Sequence, residues 1–176
     1  NNDPTEVSVS PTTLTFSSGN WSTSQVITLI GVDDNVSDDN QTTLLTLTPS
    51  GGDYGSVSAQ TVTVTTSDND TAGVTIVESG SGTTAVEGGD NDTFTVRLAS
   101  RPTGSVVLSV QASNSADVSV NPTTLSFDNS SSSWQTAQTV TVSAVNDAVD
   151  DDNVTSIITI SVNTSSTTDG KYDLVS

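Results

Sequence analysis

Polar and apolar residues alternate along most of this chain. Residues 61–65 read Thr-Val-Thr-Val-Thr, and residues 139–143 read Thr-Val-Thr-Val-Ser. Because successive side chains of a β-strand point to opposite faces of the sheet, this period of two predicts strands with one buried face. Similar patterns predict further strands at Val26–Ile30, Leu44–Thr48, Val74–Val77, Thr93–Leu98, Val106–Val110 and Ile157–Val162. Clusters of Gly, Asn, Asp and Ser separate these segments, and no convincing helical period is present.

The chain also repeats itself. The matching segments are 6–16 with 117–127 and 25–48 with 138–161, and the matching aromatic residues are Phe16 with Phe127, Trp21 with Trp134 and Tyr54 with Tyr172. The spacing between the copies is roughly 110 residues, which is the size of one domain rather than of a short solenoid repeat. The chain therefore holds about one and a half copies of one unit.

The repeat is displaced relative to the ends of the chain. Residues 74–110 have no counterpart earlier in the chain, and the strand at 60–66 has none later. We therefore expect residues 1–72 to form the C-terminal part of one domain and residues 73–176 to form a second domain without its last strand. Two explanations stay open at this point. The chain is either a window cut from a longer tandem array, or a subunit whose incomplete domains are completed by neighbours through strand addition.

About seven short strands per repeat, separated by turn-rich loops, predict an all-β fold of antiparallel β-sandwiches. The hydrophobic fraction is only 31%, and Thr on the solvent face of each strand explains that value, since one face of each sheet is apolar. The recurring pairs Phe16 with Phe127 and Trp21 with Trp134 are predicted to pack in the core or at its edge. The alternative is an aromatic platform for a sugar ring, which would need several aromatic residues on one flat face.

Composition excludes several chemistries. The 176 residues carry 21 Asp and Glu against 3 Lys and Arg, a formal net charge of −18, and they contain no Cys, His or Met. Without Cys and His there is no disulfide, no thiolate nucleophile, no Ser-His relay and no Cys- or His-ligated zinc. So acidic a chain repels nucleic acid, and no run approaches the roughly 20 apolar residues of a membrane span. The profile is typical of a secreted or cell-surface protein that does not depend on disulfides.

The acidic residues are clustered. The clusters are residues 33–40 (DDNVSDDN), the matching residues 146–153 (NDAVDDDN), residues 68–70 (DND) and residues 87–92 (EGGDND). Like charges this close repel one another unless a cation neutralises them. Ca²⁺ takes about 6–8 oxygen ligands from carboxylates, amides and carbonyls, whereas Mg²⁺ demands tighter octahedral geometry and ranks second. The recurrence of the acidic loop therefore predicts a Ca²⁺ site, with a merely solvated acidic loop as the alternative.

Three motifs resemble the Calx-β type of domain and its bacterial tandem relatives. They are V-x-D-x-V-x-D-D-N at 32–40, TVTVTTSDNDTAGV at 61–74, and AVEGG at 85–89 ahead of FTV at 94–96. The resemblance covers essentially the whole chain. It implies tandem seven-stranded immunoglobulin-like sandwiches, the first incomplete at its N-terminal side, that hold Ca²⁺ at one tip.

The resemblance also implies which residues would hold Ca²⁺. The ligands come from an opening Glu, a carboxylate before the middle strands, the acidic loop and a closing Asp run. These positions are Glu6, Asp34, Asp38, Asp39, Asp68 and Asp70 in the first repeat, and Glu87, Asp117, Asp147, Asp150, Asp151 and Asp152 in the second. The opening Glu of the first repeat and the closing run of the second are expected outside residues 1–176.

These observations predict a structural role rather than catalysis. A cation near the repeat boundary would tie two domains together, giving an extracellular adhesive module or filament wall. Its expected partners are neighbouring repeats or subunits, with a carbohydrate or another cell-surface ligand as a further candidate. The alternatives are a carbohydrate-binding β-sandwich and a filament subunit that exchanges strands. Glycoside hydrolysis by paired carboxylates is not expected, since the sequence shows no aromatic wall or apolar pocket around the acidic loops.

Overall fold

The computed structural model describes residues 1–130, 132–149 and 152–175, which form eleven β-strands and two short 3-10 helices. The strands are β1 (Val7–Ser10), β2 (Thr28–Gly31), β3 (Gln41–Leu47), β4 (Gln60–Thr66), β5 (Val74–Glu78), β6 (Asp92–Leu98), β7 (Val106–Ala112), β8 (Val118–Asn121), β9 (Thr124–Phe127), β10 (Gln138–Ala144) and β11 (Ile158–Val162). The 3-10 helices span Gly52–Ser56 and Tyr172–Leu174. Every pairing between these strands is antiparallel, which confirms the predicted all-β, antiparallel class. No helix among the described residues is long and apolar enough to cross a membrane.

The chain divides into two compact units. The first comprises Asn1–Asp34 and Asp38–Asn69, and the second comprises Asn35–Ser37 and Asp70–Ser176. The sheets respect this division, since strands β1–β4 pair among themselves and strands β5–β11 pair among themselves.

The second unit is a β-sandwich-like body with two sheets. One sheet has the strand order β5-β6-β10-β8, and the other has the order β11-β7-β9. The period-two pattern turns alternate side chains inward, so that Phe94 and Val96 of β6 are buried while Arg97 is exposed. Both sheets contribute to one core, which contains Phe94, Val96, Leu98, Val106, Leu108, Val110, Leu125, Phe127, Trp134, Val140, Val142 and Tyr172. Burial of this apolar surface is the main favourable contribution to folding.

A buried tyrosine and a buried aspartate fix the segment that follows β11. The Tyr172 hydroxyl donates to the Ser100 carbonyl oxygen at 2.7 Å and accepts the Ser100 N–H at 3.1 Å. The Asp169 carboxylate accepts the backbone N–H groups of Thr103, Lys171 and Tyr172 at 2.6, 2.8 and 3.0 Å. Burial by itself raises the pKa of Asp169, but these hydrogen bonds outweigh burial and lower the pKa below its usual value.

The first unit consists of two strand pairs, β1 with β2 and β3 with β4. Among its described residues, the side chains that are fully buried are few: Val7, Thr43 and Leu45. Phe127 and Trp134 of the second unit pack in the core as predicted, but their counterparts Phe16 and Trp21 are exposed. The prediction of core packing is therefore wrong for the first copy. The physical reason is that the first unit has no strands equivalent to β5, β6 and β7 to cover these side chains.

Nearly identical segments adopt different structures in the two units. Residues 124–127 (TLSF) form β9, whereas residues 13–16 (TLTF) form no strand. The second unit holds β9 as a strand through its pairing with β7, in which Val106 lies opposite Phe127. The first unit has no equivalent of β7. A strand requires a hydrogen-bonding partner, so the same residues remain irregular without one.

Candidate metal centre

In the first unit, the acidic loop that follows β2 meets the end of β4. The two segments line a cavity of about 250 Å³. Its acidic and amide side chains are Asp33, Asp34, Asp38, Asp39, Asp68 and Asn69. Carboxylates that are 30 or more residues apart in sequence, such as Asp38 and Asp68, therefore border one space.

The Asp68 carboxylate holds the acidic loop against the end of β4. One of its oxygens accepts the backbone N–H groups of both Asp38 and Asp39, each at 3.0 Å. The backbone N–H of Asp68 in turn donates to the Asn40 side-chain oxygen at 3.0 Å. Asp39 has a φ of 66°, a left-handed conformation that Asp tolerates better than most residues. Hydrogen bonds thus join the acidic loop to the Asp-rich segment that follows β4.

The pKa of Glu6 is a measure of how crowded the negative charge is at this end. Burial raises the pKa of Glu6, and the nearby carboxylates of Asp38, Asp3, Asp34 and Asp68 raise it further. Each of those groups disfavours a further negative charge on Glu6. Three of those carboxylates, Asp34, Asp38 and Asp68, also line the cavity.

The corresponding loops of the second unit line a larger cavity of about 520 Å³. Its acidic and amide side chains are Glu87, Asp117, Asp147, Asp152 and Asn153. The Asp147 backbone N–H donates to Glu87 Oε1 at 2.8 Å, which joins the loop before β6 to the loop after β10. Gly88 has a φ of 62°, and a residue without Cβ takes this turn conformation at no steric cost. That turn positions Glu87 beside the acidic loop.

Most of the ligands implied by the family resemblance lie in these two sets. Asp34, Asp38, Asp39 and Asp68 line the first cavity, and Glu87, Asp117, Asp147 and Asp152 line the second. Asp70 does not line the first cavity, and it begins the second unit. Asp150 and Asp151 lie outside the described residues.

Three residues of the predicted acidic clusters line the cavities but are not among the predicted ligands: Asp33, Asn69 and Asn153. Asp33 aligns with Asn146 in the other copy, so the repeat offered no reason to select it as an acid. The resemblance implies carboxylate ligands alone, so it does not point to Asn69 or Asn153. Scoring every side-chain oxygen in the acidic loops, amides included, would have found all three.

Asp92 belongs to the same acidic cluster as Glu87, which lines the second cavity, but it has a different role. Its carboxylate accepts the backbone N–H groups of Thr84 and Thr93, each at 2.7 Å, and the hydroxyl of Ser79. The Ser79 hydrogen bond lowers the pKa of Asp92 most, and the two backbone hydrogen bonds lower it further. Asp92 therefore anchors the loop between β5 and β6.

The chemistry of the donors narrows the kind of ion that either cavity could hold. Among the described residues, no three acidic side chains stand close enough together to form a metal site in this conformation. The side-chain donors that line the two cavities are nevertheless all oxygen atoms, from carboxylates, amides and hydroxyl groups. Oxygen donors suit a hard cation such as Ca²⁺, whereas zinc and copper prefer nitrogen and sulfur.

No family model, curated protein or solved structure matches this chain. The likeness of its motifs to Calx-β domains therefore stands as a resemblance, and the function must be argued from the two acidic cavities.

Proposed function

We propose that this chain is a non-enzymatic, Ca²⁺-binding structural repeat module of an extracellular surface protein or filament. Its architecture in this proposal is a tandem pair of immunoglobulin-like, Calx-β-like sandwiches, of which the first is incomplete at its N-terminal side. Its partners are neighbouring repeats of the same chain or neighbouring subunits.

A single observation carries the proposal: in each unit the recurring acidic loop lines a cavity together with a carboxylate from another segment, Asp68 in the first unit and Glu87 in the second. Asp34 and Asp39 of the first cavity align with Asp147 and Asp152 of the second. In each unit the acidic loop is also hydrogen-bonded to an acid from another segment, through Asp38 and Asp68 in the first unit and Asp147 and Glu87 in the second. A cation bound among these carboxylates would offset the repulsion between them.

Calcium is the ion that the cavities favour. Ca²⁺ accepts irregular oxygen coordination at about 2.3–2.6 Å, whereas Mg²⁺ requires near-ideal octahedral geometry. Because the acidic loops are largely exposed, their side chains can close around an ion from the open arrangement described above. In the first unit the ligands would be Asp34, Asp38, Asp39 and Asp68, and in the second they would be Glu87, Asp117, Asp147 and Asp152. Binding would then stiffen the chain near the Asp-rich run that lies between successive repeats in the sequence.

Thermal unfolding tests this proposal directly. An ion that binds only the folded chain raises the midpoint of unfolding in a concentration-dependent way. At a Ca²⁺ concentration about 100-fold above Kd, we expect a rise of about 5–10 °C over the EDTA-treated chain, and a smaller rise with Mg²⁺. Asp68→Asn and Asp147→Asn should each reduce the rise.

The controls for this experiment carry the same loss of charge away from the cavities. Asp53→Asn in the first unit and Asp173→Asn in the second should leave the Ca²⁺ response unchanged, since both residues lie in the 3-10 helices. An unchanged midpoint at millimolar Ca²⁺, or an equal response in the cavity variants and the controls, would contradict the proposal.

A carbohydrate-binding module is the second candidate, and the exposure of Trp21 and Tyr54 favours it. Exposed aromatic rings supply the flat apolar surface that a sugar ring stacks against. If this candidate is right, immobilised glycans should retain the parent chain and release the Trp21→Ala variant. Retention that survives Trp21→Ala, or no retention at all, would remove the support that these rings give.

A further inference from the structure

Several aromatic residues that form the core of the second unit are exposed in the first. The exposed fractions are 2% for Phe127 and 53% for Phe16, 5% for Trp134 and 72% for Trp21, and 1% for Tyr172 and 68% for Tyr54. Leu14, Ile27 and Leu29 are likewise only partly buried, while their counterparts Leu125, Val140 and Val142 are buried. We name the six first-unit residues the open core: Leu14, Phe16, Trp21, Ile27, Leu29 and Tyr54. A large exposed apolar set of this kind calls for a covering partner.

The second unit shows what covers the equivalent residues. In it β6 pairs with β10, and β7 lies between β9 and β11. Val140 lies opposite Phe94, and Phe127 lies opposite Val106, so these strands both complete the sheets and cap the core. In the first unit, β2 and β3 are the equivalents of β10 and β11. Among the described strands, β2 pairs with β1 and β3 pairs with β4. The other edge of β2 corresponds to the edge of β10 that β6 occupies. The other edge of β3 corresponds to the edge of β11 that β7 occupies.

The first residues of the chain already follow the path that leads out of β7. In the second unit, the Ser113 N–H donates to the Ile157 carbonyl at 2.8 Å, and the Ile157 N–H donates to the Ser113 hydroxyl at 2.9 Å. In the first unit, the Asn2 N–H donates to the Leu44 carbonyl at 3.3 Å, and the Leu44 N–H donates to the Asn2 side-chain oxygen at 2.6 Å. Asn2 therefore occupies the position of Ser113. By the same register Asn1 corresponds to Ala112, the last residue of β7.

We propose that the open core is the acceptor surface for a three-stranded antiparallel segment of the β5–β7 type, running directly into Asn1. Such a segment presents alternating apolar side chains, as Phe94 and Val96 do in β6 and as Val106 and Leu108 do in β7. One of its strands pairs with β2, and another enters between residues 13–16 and β3. This assignment does not depend on Ca²⁺, so its failure would leave the proposed Ca²⁺ sites standing and would count only against the proposed incomplete sandwich.

A direct test adds a β5–β7 segment to the 176-residue chain. Residues 70–111 are placed immediately before Asn1 as a second copy, so that the last residue of the added β7-type strand is Asn1 itself. Acrylamide quenching of tryptophan fluorescence is the readout, because Trp21 is exposed in the parent chain and Trp134 is buried. We expect quenching of Trp21 to fall several-fold, to the level of Trp134. Amide hydrogens of residues 13–16 should also become protected as this segment turns into a strand.

The matched control carries Phe94→Ser, Val96→Ser, Val106→Ser and Leu108→Ser in the added copy alone, which leaves the parent chain unaltered. It should not protect Trp21 or residues 13–16. Unchanged quenching with the unmodified added segment would overturn the proposal, and so would equal protection by the control. A third outcome would also overturn it: if Trp21 of the parent chain becomes protected as the chain self-associates, the occupant is a second copy. Sedimentation over a range of concentrations detects that case.

Discussion

The two units carry copies of the same sequence pattern and reach different structures. Phe127 and Trp134 lie in a two-sheet core, whereas Phe16 and Trp21 lie between β1 and β2 and are exposed. The acidic cavities, by contrast, are present in both units. The acidic loop of each unit finds an acid from another segment of its own unit, Asp68 in the first and Glu87 in the second. The core needs strands that only one unit has.

The largest expected difference between the units comes from removing matched phenylalanines. Phe127→Ala should lower the free energy of unfolding of the second unit by about 3–5 kcal/mol, since it deletes a buried ring and leaves a cavity. Phe16→Ala should change stability by less than about 0.5 kcal/mol, because that ring is exposed. Urea unfolding followed by Trp134 fluorescence in a Trp21→Phe background measures the first variant. Amide exchange of β3 and β4 measures the stability of the Phe16→Ala variant. A comparable loss of stability in both variants would contradict the distinction between a closed and an open core.

A smaller effect is expected at Asp169, whose carboxylate accepts hydrogen bonds from three backbone N–H groups of the second unit. Asp169→Asn should cost about 1–3 kcal/mol at pH 7, because an uncharged amide accepts these bonds less well. The pKa of Asp169 is lowered in the fold, so its stabilisation is present above the unfolded pKa near 4 and is lost as pH falls through the folded pKa. The variant and the parent should therefore converge in stability at acidic pH. Asp173→Asn is the control, and a pH-independent difference would contradict this account.

The smallest effect is expected at Glu6, whose ionisation destabilises the fold, whereas the ionisation of Asp169 stabilises it. The pKa of Glu6 is raised in the fold, so ionisation of this group opposes folding at neutral pH. The destabilisation caused by ionised Glu6 should therefore diminish as pH falls through the pKa of Glu6 in the folded state. Glu6→Gln should stabilise the first unit by less than about 0.5 kcal/mol at pH 7 and remove that part of the pH dependence. Amide exchange of β3 and β4, corrected for intrinsic rates, is the measurement, and destabilisation at pH 7 would contradict the repulsion argument.

Sequence reasoning predicted the strands better than the packing. Each segment with a period of two overlaps a strand, as with 93–98 in β6 and 139–143 in β10. Alternation is a local signal, and it reveals which face is apolar. It cannot reveal whether another sheet covers that face, and for this reason the core packing predicted for Phe16 and Trp21 was wrong. The failure of residues 13–16 to form a strand has the same origin in an absent partner.

The acidic loops could be located from the sequence, but the side chains that meet around each cavity could be predicted only in part. The recurrence of the acidic loop identified the loop after β2 and the loop after β10 before any contact was known. The meeting of Asp68 with Asp38 and Asp39 depends on where β4 ends in space, and a linear pattern does not contain that information. Asp70 illustrates the limit, because it lies two residues from Asp68 and belongs to the other unit.

Calorimetric titration of the full chain with Ca²⁺ tests the central claim most directly. The account predicts saturable binding at two sites, one in each unit, with Asp68→Asn weakening one site and Asp147→Asn weakening the other. The Asp53→Asn and Asp173→Asn controls should titrate like the parent chain. No saturable binding at millimolar Ca²⁺, or binding that neither cavity variant weakens, would contradict it.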